Sequence, residues 1–445
     1  MAIETGAGTM TSDEIVALSR AHTFFSWSVQ GALDPIAIDH AEGVYLYTPE
    51  GRRILDFNSQ LMSVNIGHGD RRVIDAITEQ ALKLQYVKPA FTTEICARLG
   101  AKLAEILPGD MDKVFFTLGG AEAIENAIKL ARHYTGRYKV LARYRSYHGA
   151  TLGAMTLTGD PRRWANEPGL VGVLRYPDTH RWGEAEPRPV AESLQGLEDV
   201  IRYEGPHTIA AVFLETIVGT NGILIPPDGY IRGVREICDR HGILMVADEV
   251  MAGFGRTGRW FAIDNWDVVP DLMTMAKGLT SSYLPLGAVA MRHHVAEAFE
   301  TKMFYGGLTY SSHPVSLAAS LATIRVYEED GLIENAARLG PIMRGHHERL
   351  AARHPSVGAH RNLGLFGILD LVRSRQPWTP LTQFNGTSDE MKAIGKALRE
   401  AGLYTMIINN AIHTNPPLCI TEAQLAEGFE IIDRALDIAD QAVTG

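Results

Sequence analysis

The chain has 445 residues, of which 46% are hydrophobic and 21% are charged, and its formal net charge is −10. This length favours more than one domain, and these proportions are typical of soluble globular proteins. The negative charge is spread along the chain, which argues against a nucleic-acid-binding surface and against attraction to anionic lipid.

The cysteines and the N-terminal segment indicate where the protein works. Cys96, Cys238 and Cys419 are isolated and form no C-x-x-C motif, which argues against a disulfide framework or a zinc knuckle. The first residues have neither the basic region nor the apolar core of a signal peptide. No apolar run reaches the roughly 18 residues that span a bilayer. We therefore expect a soluble cytoplasmic protein.

The N-terminal part predicts a helix, a hairpin and two further helices. Thr11 and Glu14 have the spacing of a capping box before an apolar segment. Residues 44–57 contain two β-prone runs around a Pro-Glu-Gly turn, which indicates a β-hairpin. Apolar residues at three- and four-residue spacing predict amphipathic helices over 72–84 and 93–107.

From residue 113 the pattern changes to strand, glycine-containing turn and helix. Buried strands are predicted over residues 114–117, 139–142, 209–215, 243–248, 271–275 and 287–291. Helices such as 121–133 and 230–241 lie between them. This alternation predicts an α/β fold with a mainly parallel sheet and helices on both faces.

The C-terminal part has an α+β pattern. Helices are predicted over residues 314–327, 333–352 and 388–401 and from 422, and strands over 364–372 and 403–408. We expect an N-terminal segment over 1–65, a large domain over 66–328 and a small domain over 329–445. The N-terminal hairpin is expected to join the small domain.

Two charged residues stand at the ends of buried-looking strands. Lys277 follows one apolar run, and Asp248 ends another. A lysine can hold pyridoxal phosphate as a Schiff base, and a carboxylate can keep its pyridine nitrogen protonated. Taken alone, each residue is more often an ordinary strand-end residue, so this interpretation needs the other parts of such a site.

Other parts of a pyridoxal phosphate site occur in a sensible order. The loop Gly119-Gly120-Ala121 lies between a predicted strand and a helix, where backbone amides and the helix dipole favour a phosphate. Tyr147 can stack on one face of a pyridine ring, and Val250 can pack against the other. The alternatives are an ordinary turn and a core tyrosine.

Two other patterns favour no ligand. Residues 253–258 match G-x-G-x-x-G, but no amphipathic helix follows, so a nicotinamide site is not indicated. The pairs His293-His294 and His346-His347 have no third ligand at metal spacing. We expect these histidines to be solvent-exposed helix residues, and we expect no metal site.

Together, these motifs resemble the class III (ω-) aminotransferases, which are fold-type I pyridoxal-phosphate enzymes. The resemblance runs from about residue 25 to the C-terminus and depends most on the spacing between Asp248-Glu249-Val250 and Ala276-Lys277-Gly278. Segments 25–33, 115–123, 144–151 and 308–314 are similar to the taurine aminotransferase and amine–pyruvate transaminase group.

The resemblance implies a role for each matching residue. Lys277 binds the cofactor covalently, and Asp248 pairs with the pyridinium. The other implied contacts are the amides of Gly120 and Ala121 at the phosphate, Tyr147 and Val250 on the ring faces, and Glu215 near the ring hydroxyl. Thr309 matches a threonine that reaches the phosphate of the neighbouring subunit. The resemblance therefore implies a homodimer, or a dimer of dimers.

The chain departs from the family pattern at two places. Gly119-Gly120-Ala121 stands where the family usually has Ser-Gly-Ser. Many members have an arginine before the C-terminal Pro-Pro that binds the acceptor carboxylate, but residues 403–416 contain none. His413 and Asn415 are the polar residues close to Pro416. Pyruvate is therefore a better supported acceptor than 2-oxoglutarate.

The resemblance also implies a substrate pocket and a reaction. Met62 stands where amine–pyruvate enzymes have a tryptophan, and with Phe24, Phe91 and Tyr147 it suggests an apolar, adjustable pocket; core packing is the alternative. The implied reaction is ping-pong transfer of an amino group from a primary amine or ω-amino compound to an oxo acid. An aminomutase, a decarboxylating transaminase and an inactive pyridoxal-binding protein stay open.

Overall fold

The computed structural model describes residues 10–166, 169 and 171–444. Its centre is a seven-stranded sheet with the order Met111–Thr117, Gly287–Arg292, Leu272–Met275, Leu244–Asp248, Ile209–Glu215, Lys139–Arg143 and Val173–Tyr176. Gly287–Arg292 runs antiparallel to both of its neighbours, and the other pairs are parallel. The predicted α/β class and the mainly parallel sheet are confirmed.

The sheet has helices on both faces, which explains why its central strands are apolar along their whole length. Every residue of Ile209–Glu215 is buried. Phe213 packs in a cluster with helix Gly120–Thr135, whereas Val212 packs in the cluster that contains helix Tyr230–His241. Alternate residues of one strand thus point to opposite faces of the sheet.

The helices agree closely with the periodic segments of the sequence. They span Ser12–His22, Ser59–Met62, Arg71–Lys83, Glu94–Ile106, Gly120–Thr135, Leu152–Leu157, Val190–Glu204, Tyr230–His241, His293–Glu297, Pro314–Glu329, Leu332–Arg353, Asp389–Glu400 and Glu422–Asp440. The capping box of Thr11 and Glu14 is present. The sequence analysis missed Leu152–Leu157 and Val190–Glu204. No helix of the described ranges is long and apolar enough to cross a bilayer.

Two smaller sheets are built from the terminal parts of the chain. The first has the order His40–Glu42, Tyr45–Tyr47, Arg53–Asp56 and Leu403–Tyr404. It contains the predicted hairpin, and Leu403–Tyr404 pairs in parallel with Arg53–Asp56. The second contains Val357–Leu363, Phe366–Arg375, Ala411–Thr414 and Ile407–Ile408, and Trp378–Pro380 pairs with Phe366–Arg375. The domain limits at residues 66 and 329 stay a prediction.

One prediction about the histidines is wrong. His347 is fully buried rather than solvent-exposed, because its helix packs against Val357–Leu363 and the C-terminal helix. Burial lowers its pKa to about 3. His346 is half-buried and stacks on Phe429 at 4.7 Å between ring centroids. The sequence predicts no signal peptide in the N-terminal segment. This prediction concerns residues 1–9, which lie outside the described range.

The G-x-G-x-x-G segment forms consecutive turns and opens no α-helix. Gly255 and Gly258 have φ angles of 85° and 82°, which non-glycine residues rarely adopt. The chain continues into a short 3-10 helix, Ala262–Trp266. The geometry therefore lacks the helix N-terminus that a dinucleotide site needs.

Candidate active site

Glu215 and Asp248 lie side by side at one edge of the central sheet. They are the last residues of neighbouring parallel strands and stand opposite each other in the register. Asp248 also pairs with Thr274 of the next strand, and Lys277 follows that strand after one intervening residue. The carboxyl ends of adjacent parallel strands thus bring an amine and two carboxylates to one place, where ligands of open α/β sheets bind.

Lys277 has a strained backbone and a shifted pKa. Its φ is +45°, in the left-handed region that costs a non-glycine residue about 1–3 kcal/mol. Its side chain is partly accessible, whereas both flanking residues are buried. Desolvation lowers the pKa of its amine to about 8, although Glu215 and Asp248 oppose that shift. An amine with this pKa is partly neutral near neutral pH, as a nucleophile or base must be.

Asp248 is held in a fixed orientation by two contacts. Its Oδ1 accepts a hydrogen bond from the Val250 amide at 3.0 Å, and its Oδ2 lies 2.7 Å from His148 Nδ1. His148 Nε2 is buried and contacts no protein acceptor in the described part of the chain. The sequence analysis missed His148, although it follows Tyr147 directly. Only the folded arrangement shows that it contacts Asp248.

The carboxyl group of Glu215 holds the loop that contains Tyr147 through a hydrogen bond to its backbone. Its Oε1 accepts from the Tyr147 amide at 2.8 Å, and its Oε2 accepts from the Gly219 amide at 2.8 Å. Burial raises the pKa of Glu215 to about 7, and the Asp248 carboxylate adds to this rise. The carboxyl is therefore easily protonated near neutral pH, and its position fixes the backbone of Tyr147 beside Asp248.

A helix N-terminus without a side-chain cap lies at the same cleft. The first amides of any helix lack intrahelical acceptors. Helix Gly120–Thr135 begins after Gly119, which has no side chain that could accept from them. A Cβ at Gly120 would lie 2.9 Å from Val250 Cγ1, and a Cβ at Gly149 would lie 2.6 Å from Ala121 Cβ. The free amides thus border both Val250 and the Tyr147 loop.

These groups fit pyridoxal phosphate. Uncapped amides at one end suit a phosphate, and the dipole of a helix favours its charge. The amine of Lys277 suits an aldehyde, and the carboxylate of Asp248 suits a protonated pyridine nitrogen. Tyr147 and Val250 are both partly accessible at the cleft, where they can contact the two faces of a ring.

Arg162 is a second site residue that the sequence analysis missed. Its guanidinium carbon lies 3.7 Å from the centre of the Tyr147 ring and 4.9 Å from that of Trp27. Asp160 and Thr220 accept hydrogen bonds from its side chain. Except for Asp160, the partners named here come from other segments, and Arg162 lies in the short 3-10 helix Pro161–Asn166, so no periodicity could reveal it.

The predicted pocket residues have different surroundings. Met62 is 1% exposed and packs in a cluster with Ile217 and Met251, which flank the carboxylates of the site. Phe24 and Phe91 are 87% and 61% exposed in the single chain.

The sequence predicts that Thr309 reaches the phosphate of a partner subunit, and it offers His413 and Asn415 as polar residues near the acceptor. Thr309 is exposed, and its carbonyl accepts from the Tyr86 hydroxyl at 3.0 Å. His413 and Asn415 are fully buried. Asn415 accepts from the Gly367 amide at 2.9 Å, so its carboxamide is already used in the core.

The fold and the cleft together define a pyridoxal-phosphate-dependent transferase of fold type I. Residues 28–436 match the family model for aminotransferase class III. The putrescine–pyruvate aminotransferase of Pseudomonas aeruginosa is 33% identical over 451 residues, covering 96% of each chain. The omega-aminotransferase of Caulobacter vibrioides is 35% identical, covering 91% of this chain and 94% of that protein.

A solved structure extends the match to three dimensions. The taurine:2-oxoglutarate aminotransferase from Bifidobacterium kashiwanohense, in complex with PLP and glutamate, aligns with a TM-score of 0.95 and 36% identity. The alignment covers 98% of this chain and 100% of that one. The chain belongs to the class III aminotransferase family, it is an aminotransferase, and its cofactor is pyridoxal phosphate. The resemblance found in the sequence is confirmed.

Proposed function

We propose that this enzyme moves an amino group from a primary amine or ω-amino compound to an oxo acid such as pyruvate, using Lys277 in both half-reactions. The observation that carries this proposal is the meeting of Lys277, Asp248 and Glu215 at the carboxyl ends of three adjacent strands. Relatives named for putrescine and for taurine support an amine or ω-amino donor.

Each residue contributes one step that its position allows. Pyridoxal phosphate supplies an electron sink for the charge left when a proton leaves the substrate carbon. Lys277 Nζ, as a neutral amine, removes that proton and donates it again. Asp248 holds the proton on the ring nitrogen, since two unit charges about 4 Å apart interact by roughly 4 kcal/mol at an effective dielectric of 20. His148 orients the carboxylate of Asp248.

Arg162 is the cation that we propose for the acid group of the substrates. It stacks on Tyr147, and its charge is one of those that lower the pKa of Lys277. A guanidinium can bind a carboxylate or sulfonate through two parallel hydrogen bonds. Arg162 would thus take the part of the arginine that residues 403–416 lack. Because Arg162 could bind the carboxylate of either oxo acid, both pyruvate and 2-oxoglutarate are to be compared as acceptors.

Absorbance measurements of the two half-reactions test the proposal. The enzyme is mixed with taurine, β-alanine, putrescine or 1-phenylethylamine, and the product form is then mixed with pyruvate or 2-oxoglutarate. We expect at least one donor to convert the cofactor to its amine form and one oxo acid to restore it. Conversion by none of them would overturn the proposal. Carbon dioxide release, or product formed without an oxo acid, would favour the decarboxylating or aminomutase alternative.

A single substitution tests the part given to Arg162. Arg162→Gln should raise the KM for the oxo acid about 10- to 100-fold, because a charged hydrogen bond is lost. The half-reaction with 1-phenylethylamine, which has no acid group, is the matched control and should change little. Equal losses with acidic and non-acidic substrates would contradict the role.

We also propose a homodimer in which Thr309 reaches the partner's phosphate site, and a cytoplasmic location. The exposed position of Thr309 and of the aromatic side chains Phe24 and Phe91 supports an assembly that covers them. The free cysteines suit a reducing compartment. Light scattering of the purified enzyme measures the assembly, and a monomer that retains full activity would contradict it.

A further inference from the structure

Arg256, in the G-x-G-x-x-G segment, is a buried cation without an anionic partner. Its side chain is fully buried, and none of the ion pairs between described residues includes it. Its Nη1 donates to the carbonyls of Pro416 at 2.5 Å and Leu365 at 3.3 Å. Its Nη2 donates to Asn65 Oδ1 at 2.7 Å and Ser59 Oγ at 3.0 Å. All four acceptors are neutral.

Such a group is a poor source of stability. Burial lowers the pKa of Arg256 to about 10, which shows that its charge is unfavourably placed. Even a buried ion pair can often be replaced by apolar side chains of similar volume with little loss of stability, and Arg256 has no anionic partner among the described residues to offset its burial. A guanidinium in this position is therefore better explained by what its four hydrogen bonds hold in place.

One of the segments that it holds is strained. Ser59, Gln60 and Met62 have φ angles of 47°, 56° and 53°. Each costs about 1–3 kcal/mol and persists only where the surroundings impose it. Ser59 Oγ accepts from Arg256 and donates to the Asn415 carbonyl at 2.8 Å. Arg256 thus ties the strained turn to the C-terminal part of the chain.

The same segment borders the turn of the catalytic lysine. A Cβ at Gly278, the residue after Lys277, would lie 2.6 Å from Asn65 Nδ2, so Asn65 packs directly on that turn. At the other end of the segment, Met62 packs with Ile217 and Met251. Residues 59–65 therefore connect the Lys277 turn with the loops that follow the two carboxylate-bearing strands.

We propose that Arg256 is a positioning residue for the substrate pocket: its guanidinium fixes residues 59–65, which lie between the Lys277 turn and the loops that follow the two carboxylate-bearing strands. The proposal rests on the proposed function and on the expectation from the sequence that Met62 belongs to the substrate pocket. The G-x-G-x-x-G segment would then place Arg256 and would bind no nucleotide. The close turns at Gly255 and Gly258 bring the guanidinium between the two terminal parts of the chain.

The first test measures hydrogen exchange of the holoenzyme, which needs no turnover. Arg256→Met removes the charge and all four hydrogen bonds, whereas Arg256→Lys keeps the charge and some donors but loses the planar guanidinium that reaches all four acceptors. We expect amides of residues 59–65 to exchange about tenfold faster or more in Arg256→Met, because the strained turn opens locally, and to be intermediate in Arg256→Lys. Arg235→Met is the matched control, since Arg235 is also largely buried but lies at the opposite edge of the sheet.

The second test compares donors of different size. In Arg256→Met, the ratio of kcat/KM for β-alanine to that for 1-phenylethylamine should change about tenfold or more, with the melting temperature recorded in parallel. In Arg235→Met, the melting temperature should fall and the ratio should stay that of the wild type. An Arg256→Met protein with native exchange at 59–65 and a native ratio would overturn the proposal.

The failures of the two proposals differ. A wild-type enzyme that converts no donor overturns the proposed function, whereas the exchange measurement still decides whether Arg256 holds residues 59–65. Where Arg256→Met does not fold, Arg256→Lys decides by the same two measurements.

Discussion

Asp248 and Asp271 lie at opposite edges of the central sheet and are both nearly buried, but their partners differ. Asp271, at the amino edge, accepts from Arg235 Nη1 at 2.7 Å and from the Met245 amide at 2.7 Å. Asp248, at the carboxyl edge, contacts an imidazole and one amide. Lys277 beside it forms no ion pair within the ranges that the structure describes. Asp271 is thus paired with a cation at one edge, whereas Lys277 at the other edge has no anionic partner among the described residues.

We expect this difference to separate residues that stabilise the fold from residues that do chemistry. A buried ion pair loses much of its worth when one partner is removed, because the other charge stays buried. Charges that lack such a partner shift their pKa values, and shifted values cluster at functional sites. Glu215 and Lys277, with pKa values near 7 and 8, follow this pattern. Substitutions at the carboxyl edge should therefore change activity, and substitutions at the amino edge should change stability.

The largest effect is expected at Lys277. Lys277→Ala should reduce turnover by at least about 10⁴-fold, because both the covalent attachment and the base are lost. Steady-state rates and mass spectrometry after borohydride reduction measure the two losses. Lys302→Ala, at an exposed lysine, is the control and should leave both unchanged. Normal transamination by Lys277→Ala would remove the basis of the proposed function.

A smaller loss is expected at Asp248. Asp248→Asn should lower kcat by about 10²- to 10³-fold, because a fixed charge that acts on the reacting system is removed. The melting temperature should change little, since an asparagine can still accept from the Val250 amide. Rates and thermal unfolding measured on one preparation check both statements, and an unchanged kcat would show that the carboxylate charge is unimportant.

The opposite result is expected at the amino edge. Asp271→Asn should lower the free energy of unfolding by about 3 kcal/mol, because Arg235 is left partly buried with a weaker partner. Since Asp271 lies far from Lys277 along its strand, kcat should stay within about twofold of the wild type. Denaturant unfolding and initial rates measure the two quantities. A loss of activity that exceeds the loss of folded protein would mean that the edges are not independent.

The smallest effect concerns the cofactor-free protein. The folded-state pKa of Lys277 is about 8, below its ordinary value, so the unfolded chain binds more protons between pH 8 and about 10.5. Stability from this group is therefore present above that range and is lost as pH falls through about 8. At pH 7, apo Lys277→Met should be more stable than apo wild type by up to about 3 kcal/mol. Melting curves from pH 7 to 10 should show this advantage shrinking; a constant advantage would contradict the shifted pKa.

Local sequence rules identified most of the fold because they act on neighbouring residues. Helix Tyr230–His241 has the predicted ends, since Gly229 and Gly242 flank it in left-handed conformations. The edge strand Val173–Tyr176 was missed because it is short and only partly buried, so its pattern resembles a loop. Val190–Glu204 was missed although it is amphipathic, because no residue caps its start.

The site was predictable only where its residues stand in recognisable local motifs. Asp248 ends a strand, Lys277 and the Gly119-Gly120-Ala121 loop follow strands, and the structure brings them to one cleft. His148 and Arg162 act through contacts with segments far away in the chain, which no spacing rule contains. The same reason explains His347, whose burial is set by elements that pack on its helix from elsewhere.

The parallel pairing of Leu403–Tyr404 with Arg53–Asp56 also constrains how the protein is made. Residues 53–56 leave the ribosome roughly 350 residues before Leu403–Tyr404, the strand that completes their sheet. Until then, the backbone groups on one edge of Arg53–Asp56 are open to pairing with other nascent chains. Deletions that remove Leu403–Tyr404 should therefore reduce the yield of native enzyme more than their distance from the cleft suggests. A chaperone that shields the hairpin of residues 45–56 should increase the yield of the undeleted chain.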